Sequence, residues 1–312
     1  MFEIEFYTPE KKELWNSFVS TSKNGTFLFD RDYMDYHSDR FLDCSVMVYR
    51  KGQLYCILPA NCSGNVLYSH QGLTYGGMIM NSKVVVSEFL EAWTLMNDFY
   101  KNAGIKKVVY KTMPFIYHRM PAQEDIYALF KISHAHRSGV NISSAIFQNN
   151  KLRFTESRKG GVRKSIKNGV SVFETTDFAG FWDILNNNLQ HKYGVKAVHT
   201  LDEILLLKNR FPQNIKLYAA FKEEIMLGGT VIYITSHVIH TQYISASPEG
   251  KEIGVLDLIF DFLLNQEFVN YPVFDFGQST EEMGNILNES LIFQKEGFGG
   301  RGVTYDIYEY EL

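Results

Sequence analysis

Residues 217–277 read LYAAFKEEIMLGGTVIYITSHVIHTQYISASPEGKEIGVLDLIFDFLLNQEFVNYPVFDFG. Runs rich in β-branched and aromatic residues are separated by the charged turn Lys222-Glu223-Glu224 and by a loop that contains Gly250 and Gly254. The predicted elements are strands Leu217–Phe221, Ile225–Ile234 and Val238–Ser245, helix Val255–Glu267 and strand Val273–Phe276. Three strands, a helix and a final strand indicate a mixed α/β unit.

The first half of the chain repeats this order. Its predicted elements are strands Val46–Tyr49, Leu54–Ala60 and Leu67–Gln71, a Gly76-Gly77 step, helix Val84–Asn102 and strand Lys107–Lys111. Two copies of one supersecondary unit predict two similar domains, which we place at 1–150 and 151–312. The length of 312 residues agrees with two domains. A ligand would lie in a cleft between or within them.

The composition is that of an ordinary globular protein, with 31 basic and 35 acidic residues and a formal net charge of −4. This balance lacks the overall positive charge that would indicate binding to DNA, RNA or a membrane surface. The start, Met1-Phe2-Glu3-Ile4-Glu5, lacks the features of a signal peptide, and no apolar run has membrane-spanning length. We therefore expect a cytoplasmic protein. Cys44, Cys56 and Cys62 lack metal-ligand spacing, so we expect small reduced core residues.

Positive charge is concentrated at residues 151–168, where seven basic residues face one acidic residue, for a net +6. This leaves −10 on the rest of the chain. Such an island is a candidate site for the phosphates of a nucleotide, of coenzyme A or of an RNA end. A solvated helix face has the same appearance. The candidate residues are Arg158, Lys159, Arg163, Lys164 and Lys167.

Most catalytic signatures are missing from the sequence. It contains no Gly-x-Ser-x-Gly elbow, no P-loop and no dinucleotide fingerprint, and no cysteine is adjacent to a histidine. His134 and His136 would share one face of a strand and could hold a metal weakly, but a further ligand at metal-site spacing is lacking. We therefore expect no metal site.

Residues 217–277 resemble the GNAT acyltransferase fold. The resemblance rests on the long hairpin, a strand that includes Gln242 and Tyr243, the glycine-containing loop before a helix, and the strand end Phe274-Asp275-Phe276-Gly277. It implies central strands that splay apart and an acyl-coenzyme A donor whose pantetheine arm pairs with the exposed strand edge. It also implies that Gly250 and Gly254 form the loop that binds the pyrophosphate at the helix N-terminus.

Two such halves followed by Phe293-Gln294-Lys295-Glu296-Gly297-Phe298-Gly299-Gly300 look like the Fem-type subfamily. The stretch Arg158–Val170 matches the segment that opens the second domain of these bacterial proteins. The resemblance implies transfer of an aminoacyl group from a charged transfer RNA to the amine of a peptidoglycan precursor, or of an acyl group to another amine. It also assigns the critical lysine to Lys295.

Lys295 is a plausible catalytic residue on its own terms. A helix is predicted at Thr280–Phe293 with Ser279 as N-cap, and Lys295 follows it and precedes a glycine run. Its ammonium could neutralise the oxyanion that forms when an amine attacks a carbonyl. Asp275, Glu281 and Glu282 are candidate proton acceptors. The alternative is a surface lysine before a turn.

The string Ser69–Gly77 is the densest polar, aromatic and glycine-rich segment of the first half. It resembles the acceptor-side loop of Fem-like proteins, which implies substrate contacts from His70, Tyr75, Gly76 and Gly77. A structural turn is the alternative.

We thus predict tandem GNAT-like domains and an amine acyltransferase. The competing class is a non-catalytic module that binds a nucleotide-sugar or peptide, and an RNA-binding protein is a third interpretation.

Overall fold

The computed structural model describes residues 1–312 apart from the side chain of Tyr193. The chain divides into two compact units. Unit 1 comprises Met1–Ile142, Thr280–Ile286 and Thr304–Leu312, and unit 2 comprises Ser143–Ser279 and Leu287–Val303. Neither unit is one continuous segment of chain. The division into repeats at 1–150 and 151–312 stays a prediction.

The strands are β1 (Phe2–Phe6), β2 (Leu42–Asp43), β3 (Val46–Arg50), β4 (Gln53–Leu58), β5 (Asn61–Ser63), β6 (Val66–Tyr68), β7 (Ile79–Met80), β8 (Lys107–Lys111), β9 (His136–Phe147), β10 (Val170–Thr175), β11 (Ile215–Lys222), β12 (Ile225–Ile234), β13 (Val238–Ala246), β14 (Val273–Gln278), β15 (Thr280–Glu281), β16 (Ile286–Leu287) and β17 (Arg301–Glu311). The helices are α1 (Lys12–Thr21), α2 (Arg31–Met34), α3 (Val86–Asn102), α4 (Glu124–Lys131), α5 (Glu156–Lys167), α6 (Phe178–Tyr193), α7 (Leu201–Arg210), α8 (Pro248–Ile253), α9 (Val255–Phe262) and α10 (Glu289–Gly297). A π-helical turn at Leu263–Glu267 continues α9.

Unit 2 is built on a mixed sheet. Strands β10, β11, β12 and β13 pair antiparallel in sequence order, and β14 then lies parallel to β13. A parallel neighbour requires a crossover, which α9 supplies. The last residues of β9 pair antiparallel with the other edge of β14, with Phe147 opposite Val273. The apolar face of α9 packs on the sheet through Val255, Ile259 and Phe260, in a core that also contains Phe274 and Phe276.

Unit 1 repeats the predicted order. Strands β3 and β4 form a hairpin within the sheet β1–β3–β4–β7, and α3 connects β6 to the parallel strand β8. Residues of β17 pair antiparallel with β8, with Tyr308 opposite Tyr110. The core packs Phe89, Trp93 and Met96 of α3 against these strands. The mixed α/β class is therefore confirmed, and the predicted strands and helix of each half are present, with β5 and β7 as additional strands in the first half.

The predicted helix at Thr280–Phe293 is wrong. Two short strands, β15 and β16, occupy its first half, and α10 begins only after the N-cap Asn288. Glu282 and Met283 have φ angles of 50° and 56°, and Gly284 has φ 99°. Three consecutive residues with left-handed φ cannot continue a right-handed helix.

The prediction of three reduced cysteines is also wrong. Cys44 and Cys62 form a disulfide with a Cα–Cα distance of 5.8 Å, while Cys56 is free and buried. Pairing of Leu42 with Cys62 in β2 and β5 brings the two cysteines together.

Among the helices that the structure describes, none combines the length and the apolar character needed to cross a membrane.

Candidate functional site

The central strands of unit 2 separate midway. Strands β13 and β14 pair only from Val238–Val273 to His240–Asp275, although β13 continues to Ala246 and β14 continues to Gln278. A cavity of about 250 Å³ opens beside the separated segments. Its apolar lining includes Leu185, Leu189, Ile244, Leu256, Phe260, Phe276, Leu291 and Phe298. The splayed strands that the resemblance implies are therefore present.

One face of α10 forms a wall of this cavity. Leu291, Gln294, Lys295 and Phe298 recur at the three- and four-residue spacing that places side chains on one side of a helix. Gln294 is half-buried, whereas Lys295 is 4% exposed and Phe298 is fully buried. The wall thus runs from the half-buried Gln294, past Lys295, to an aromatic floor.

Lys295 lies in the last turn of α10 rather than after a helix. Its Nζ donates to Gly277 O at 2.7 Å, to Gln278 O at 2.8 Å and to Ser279 Oγ at 2.9 Å. An ammonium has three hydrogens, so these contacts use its full donor capacity. Burial lowers the pKa of Lys295 to about 8, against the opposing effect of the Asp275 charge. The surface-lysine alternative is excluded, and the side chain fixes the end of β14.

Asp275 lies directly beside this strand end and is fully buried. Its Oδ1 accepts hydrogen bonds from Ser143 Oγ and from the backbone N–H of Gly277, the latter at 3.1 Å. Its Oδ2 lies 3.1 Å from His240 Nδ1. The carboxylate therefore holds His240 and the left-handed turn at Gly277, which has φ 73°. These contacts favour a positioning role over direct proton transfer. The other two candidates, Glu281 and Glu282, are exposed residues of unit 1.

Gln242 and Tyr243 occupy different places around β13. The register between β12 and β13 shifts so that Val231 faces Tyr243 and Ile232 faces Thr241, which leaves Gln242 as the extra residue of a β-bulge. The hydroxyl of Tyr243 accepts from the backbone N–H of His199 at 3.1 Å and lies 2.6 Å from His199 Nδ1. Burial raises the pKa of Tyr243 to about 12. Tyr243 thus anchors the chain before α7.

The loop assigned to a pyrophosphate is folded as helix α8. Gly250 N donates to Ser247 Oγ at 3.1 Å, Lys251 N to Ser247 O at 2.9 Å and Gly254 N to Gly250 O at 3.0 Å. The N–H groups of Gly250, Lys251 and Gly254 are therefore already bonded within the chain. Gly250 is required by packing, because a Cβ there would lie 2.2 Å from Leu227 O. Gly254 supplies the left-handed residue between α8 and α9, with φ 81°.

The basic island forms helix α5, which packs against α9. Arg158 NH1 donates to Asp257 Oδ1 at 2.8 Å, and Lys164 Nζ donates to Glu252 O at 2.8 Å. Lys159 pairs with Glu156 at 2.8 Å, and Arg163 approaches the same carboxylate at 4.0 Å. Arg163 and Lys167 are exposed. The island therefore combines residues that fasten α5 with residues available at the surface, and phosphate binding stays a prediction.

The polar rim of the cavity was not identified from sequence. Asn188 of α6 donates to Ser245 Oγ at 2.7 Å and to Ala246 O at 2.8 Å, and its Oδ1 accepts from Lys251 Nζ at 2.5 Å. Lys192 lies one turn further along α6 and also lines the cavity. The helical spacing of Leu185, Asn188, Leu189 and Lys192 is a signal that could have marked this face.

In unit 1, the string Ser69–Gly77 is tightly packed. His70 is 5% exposed, has φ 70°, and stacks on His37 with ring centroids 5.4 Å apart. Burial lowers the pKa of His70 to about 3. Lys111 Nζ donates to three carbonyls of this loop, those of His70 and Gln71 at 3.2 Å and that of Leu73 at 2.8 Å. A lysine ammonium thus fastens a loop here, as Lys295 does in unit 2.

Tyr75, Gly76 and Gly77 are buried in the same segment. The Tyr75 hydroxyl lies 3.1 Å from Thr26 Oγ1, and a Cβ on Gly76 would lie 1.9 Å from Ser69 O. Gly77 has φ 97° and packs against the Tyr110 hydroxyl. These contacts favour the structural-turn interpretation, and a substrate contact stays a prediction.

Within the described residues, no three His, Cys, Asp or Glu side chains gather into a metal-binding group.

Comparison with solved structures shows the fold. The crystal structure of FemX matches with a TM-score of 0.69 at 11% identity, covering 99% of this chain and 97% of FemX. L-PGS from Bacillus licheniformis matches with a TM-score of 0.60 at 12% identity, covering 97% and 92% of the two chains. A tandem GNAT protein from the clavulanic acid biosynthesis pathway matches with a TM-score of 0.50 at 10% identity, covering 100% and 98%. No protein-family model and no curated protein matches the sequence. The chain has the tandem GNAT fold, and at these identities the likeness extends to the fold alone.

Proposed function

We propose that the protein is an acyltransferase that transfers an acyl or aminoacyl group to an amine. The observation that carries this proposal is the apolar cavity beside the separated strands β13 and β14, with a buried lysine in its wall. The fold shared with FemX and with a tandem GNAT protein supports it. The division of labour between the two units is part of the same proposal, with donor binding assigned to unit 2.

The reaction is aminolysis of an activated acyl group. A neutral amine attacks the carbonyl carbon of an ester or thioester, and a C–N bond forms as the C–O or C–S bond breaks. The proton lost by the amine ends on the departing oxygen or sulfur. We assign Lys295 to the developing oxyanion, which would replace Ser279 Oγ among the three acceptors of the ammonium. Asp275 acts by holding His240 and Gly277 in place.

The donor would be an aminoacyl-transfer RNA or an acyl-coenzyme A, and the acceptor a small-molecule amine or a cell-wall precursor. Helix α8 favours a donor that does not depend on a pyrophosphate at Gly250 and Gly254, since their N–H groups are already bonded. The exposed Arg163 and Lys167 are assigned to a phosphate-bearing part of the substrate. A peptidoglycan-related role follows from the Fem-like resemblance and, together with a cytoplasmic location, is part of this proposal.

A second function is favoured by the saturated hydrogen bonding at the site. Lys295 has three acceptors and the N–H groups of Gly250 and Gly254 are bonded within the chain, as expected for a non-catalytic module that binds a nucleotide-sugar or peptide. The third interpretation, RNA binding, has only the exposed residues of α5 in its favour. Catalysis separates these classes, because a module binds without forming an amide.

The test is amide formation in a single turnover, followed by mass spectrometry. Lys295→Met should lower the rate about a hundredfold or more, measured where urea unfolding shows the variant to be folded. A folded variant with a normal rate would remove Lys295 from the mechanism. In parallel, replacing Arg163 and Lys167 by Gln should weaken donor binding and flatten its dependence on salt. If the double variant binds the donor as the wild type does, and if binding does not depend on salt, the exposed residues of α5 form only a solvated helix face.

A further inference from the structure

We propose that the unit 2 cavity selects donors with an uncharged apolar acyl chain of about ten non-hydrogen atoms rather than an aminoacyl or an acetyl group. This inference rests on the proposed function and names the class of acyl group that the site would transfer. The chain would lie on the aromatic floor, with its carbonyl at the level of Lys295 and the anionic part of the donor at the rim.

The size of the acyl group follows from the volume of the cavity. An apolar cavity of about 150 Å³ is large enough for benzene, which has six non-hydrogen atoms. In proportion, the cavity of about 250 Å³ accommodates about ten such atoms. An acetyl group would leave most of this space unfilled and would forfeit the contacts of the apolar lining.

The chemistry of the acyl group follows from what lines the floor. Phe260, Phe276 and Phe298 are all buried there, with relative exposures of 1%, 2% and 0%. Aromatic rings in this arrangement favour an apolar chain, because each buried CH₂ contributes about 0.8 kcal/mol.

The charge of the lining argues against an aminoacyl group. The lining residues in the described part of the chain include three lysines, Lys192, Lys251 and Lys295, and no Asp or Glu. An α-ammonium beside the carbonyl would therefore meet only like charge and would find no carboxylate partner. The exposed Lys192 and Lys251 suit instead an anionic group of the donor at the rim.

The test is calorimetric binding of straight-chain carboxylates, with butanoate, hexanoate, octanoate and 2-aminooctanoate as probes. Affinity should rise about fourfold for each added CH₂ up to octanoate, and 2-aminooctanoate should bind at least tenfold more weakly than octanoate. Leu256→Trp, which fills the cavity from the half-buried wall of α9, should abolish binding of octanoate. The matched control is Leu206→Trp, at a 41% exposed position of α7 that does not line the cavity.

Affinity independent of chain length, equal binding of 2-aminooctanoate, or unchanged binding by Leu256→Trp would overturn this inference. Transfer activity separates it from the proposed function. If the protein binds octanoate as described but forms no amide, the chain-binding inference stands and the acyltransferase proposal fails. If the protein transfers only aminoacyl or acetyl groups, the acyltransferase proposal stands and the selection for an apolar chain is refuted.

Discussion

Removal of the Lys295 ammonium should destabilise unit 2 strongly. In Lys295→Met, the acceptors Gly277 O, Gln278 O and Ser279 Oγ lose their donor at a position that is 4% exposed. A buried polar group without its partner costs about 1–3 kcal/mol. Three acceptors lose their donor, and partial entry of water keeps the cost of each one near the lower end of that range. The summed loss of unfolding free energy is therefore about 4 kcal/mol. For a unit of this size, such a loss corresponds to a decrease of about 10 °C in Tm.

The assay is urea unfolding of the wild type, Lys295→Met and a matched control, Lys222→Met. Lys222 is a half-exposed lysine that pairs with Glu249 at 3.1 Å on the surface of the same unit. The control should change the free energy of unfolding by no more than about 0.5 kcal/mol. If Lys295→Met and Lys222→Met unfold at the same urea concentration, the ammonium does not fasten the end of β14, and the reasoning is refuted.

Two further predictions concern helix packing and acid stability. Gly161→Ala should lower the free energy of unfolding by at least about 2 kcal/mol, because its Cβ would lie 1.7 Å from Asp257 Oδ2. In Gly160→Ala the new Cβ has nothing within 4 Å, so this variant should stabilise helix α5 by about 0.5–1 kcal/mol. Equal effects of the two variants in thermal melts would contradict the close packing of α5 on α9. Burial lowers the pKa of His70 to about 3, so its neutral form stabilises the fold above the unfolded pKa of about 6.5, and this stability is lost as the pH falls towards the folded pKa. Between pH 7 and pH 5 the wild type should therefore lose about 2 kcal/mol more unfolding free energy than His70→Asn, which tolerates the same left-handed φ, and superimposable pH profiles would disprove this.

The elements of the fold were predictable because their signals are local. Runs rich in β-branched and aromatic residues predicted strand Ile225–Ile234 with the bounds that the structure has, and strand Lys107–Lys111 likewise. The helix at Thr280–Phe293 failed because Glu282 and Met283, which are ordinary helix-forming residues, adopt left-handed φ, which composition does not reveal. Disulfide formation between Cys44 and Cys62 depended on a two-residue strand, β2, too short to produce a pattern.

The contacts of the site were not predictable because they depend on register. His240 meets Asp275 only through the parallel alignment of β13 and β14, whose residues are 35 positions apart in the chain. The three acceptors of Lys295 lie at residues 277–279, and nothing in the local sequence of α10 indicates them. Sequence resemblance selected Lys295 as a functional residue, whereas its role in holding the end of β14 depends on the three-dimensional structure.

The most direct test of the acyltransferase proposal is amide formation by the wild type, Leu256→Trp and Leu206→Trp under identical conditions. Each protein would be mixed with acyl thioesters, acyl esters and aminoacyl-transfer RNA in the presence of small-molecule amines and cell-wall precursors, and products would be measured by mass spectrometry. We expect amide from the wild type and Leu206→Trp, and at least a hundredfold less from the cavity-filled Leu256→Trp. Equal amide formation by Leu256→Trp would contradict the assignment of the reaction to the unit 2 cavity, and a folded wild type inert toward every donor would favour a binding module.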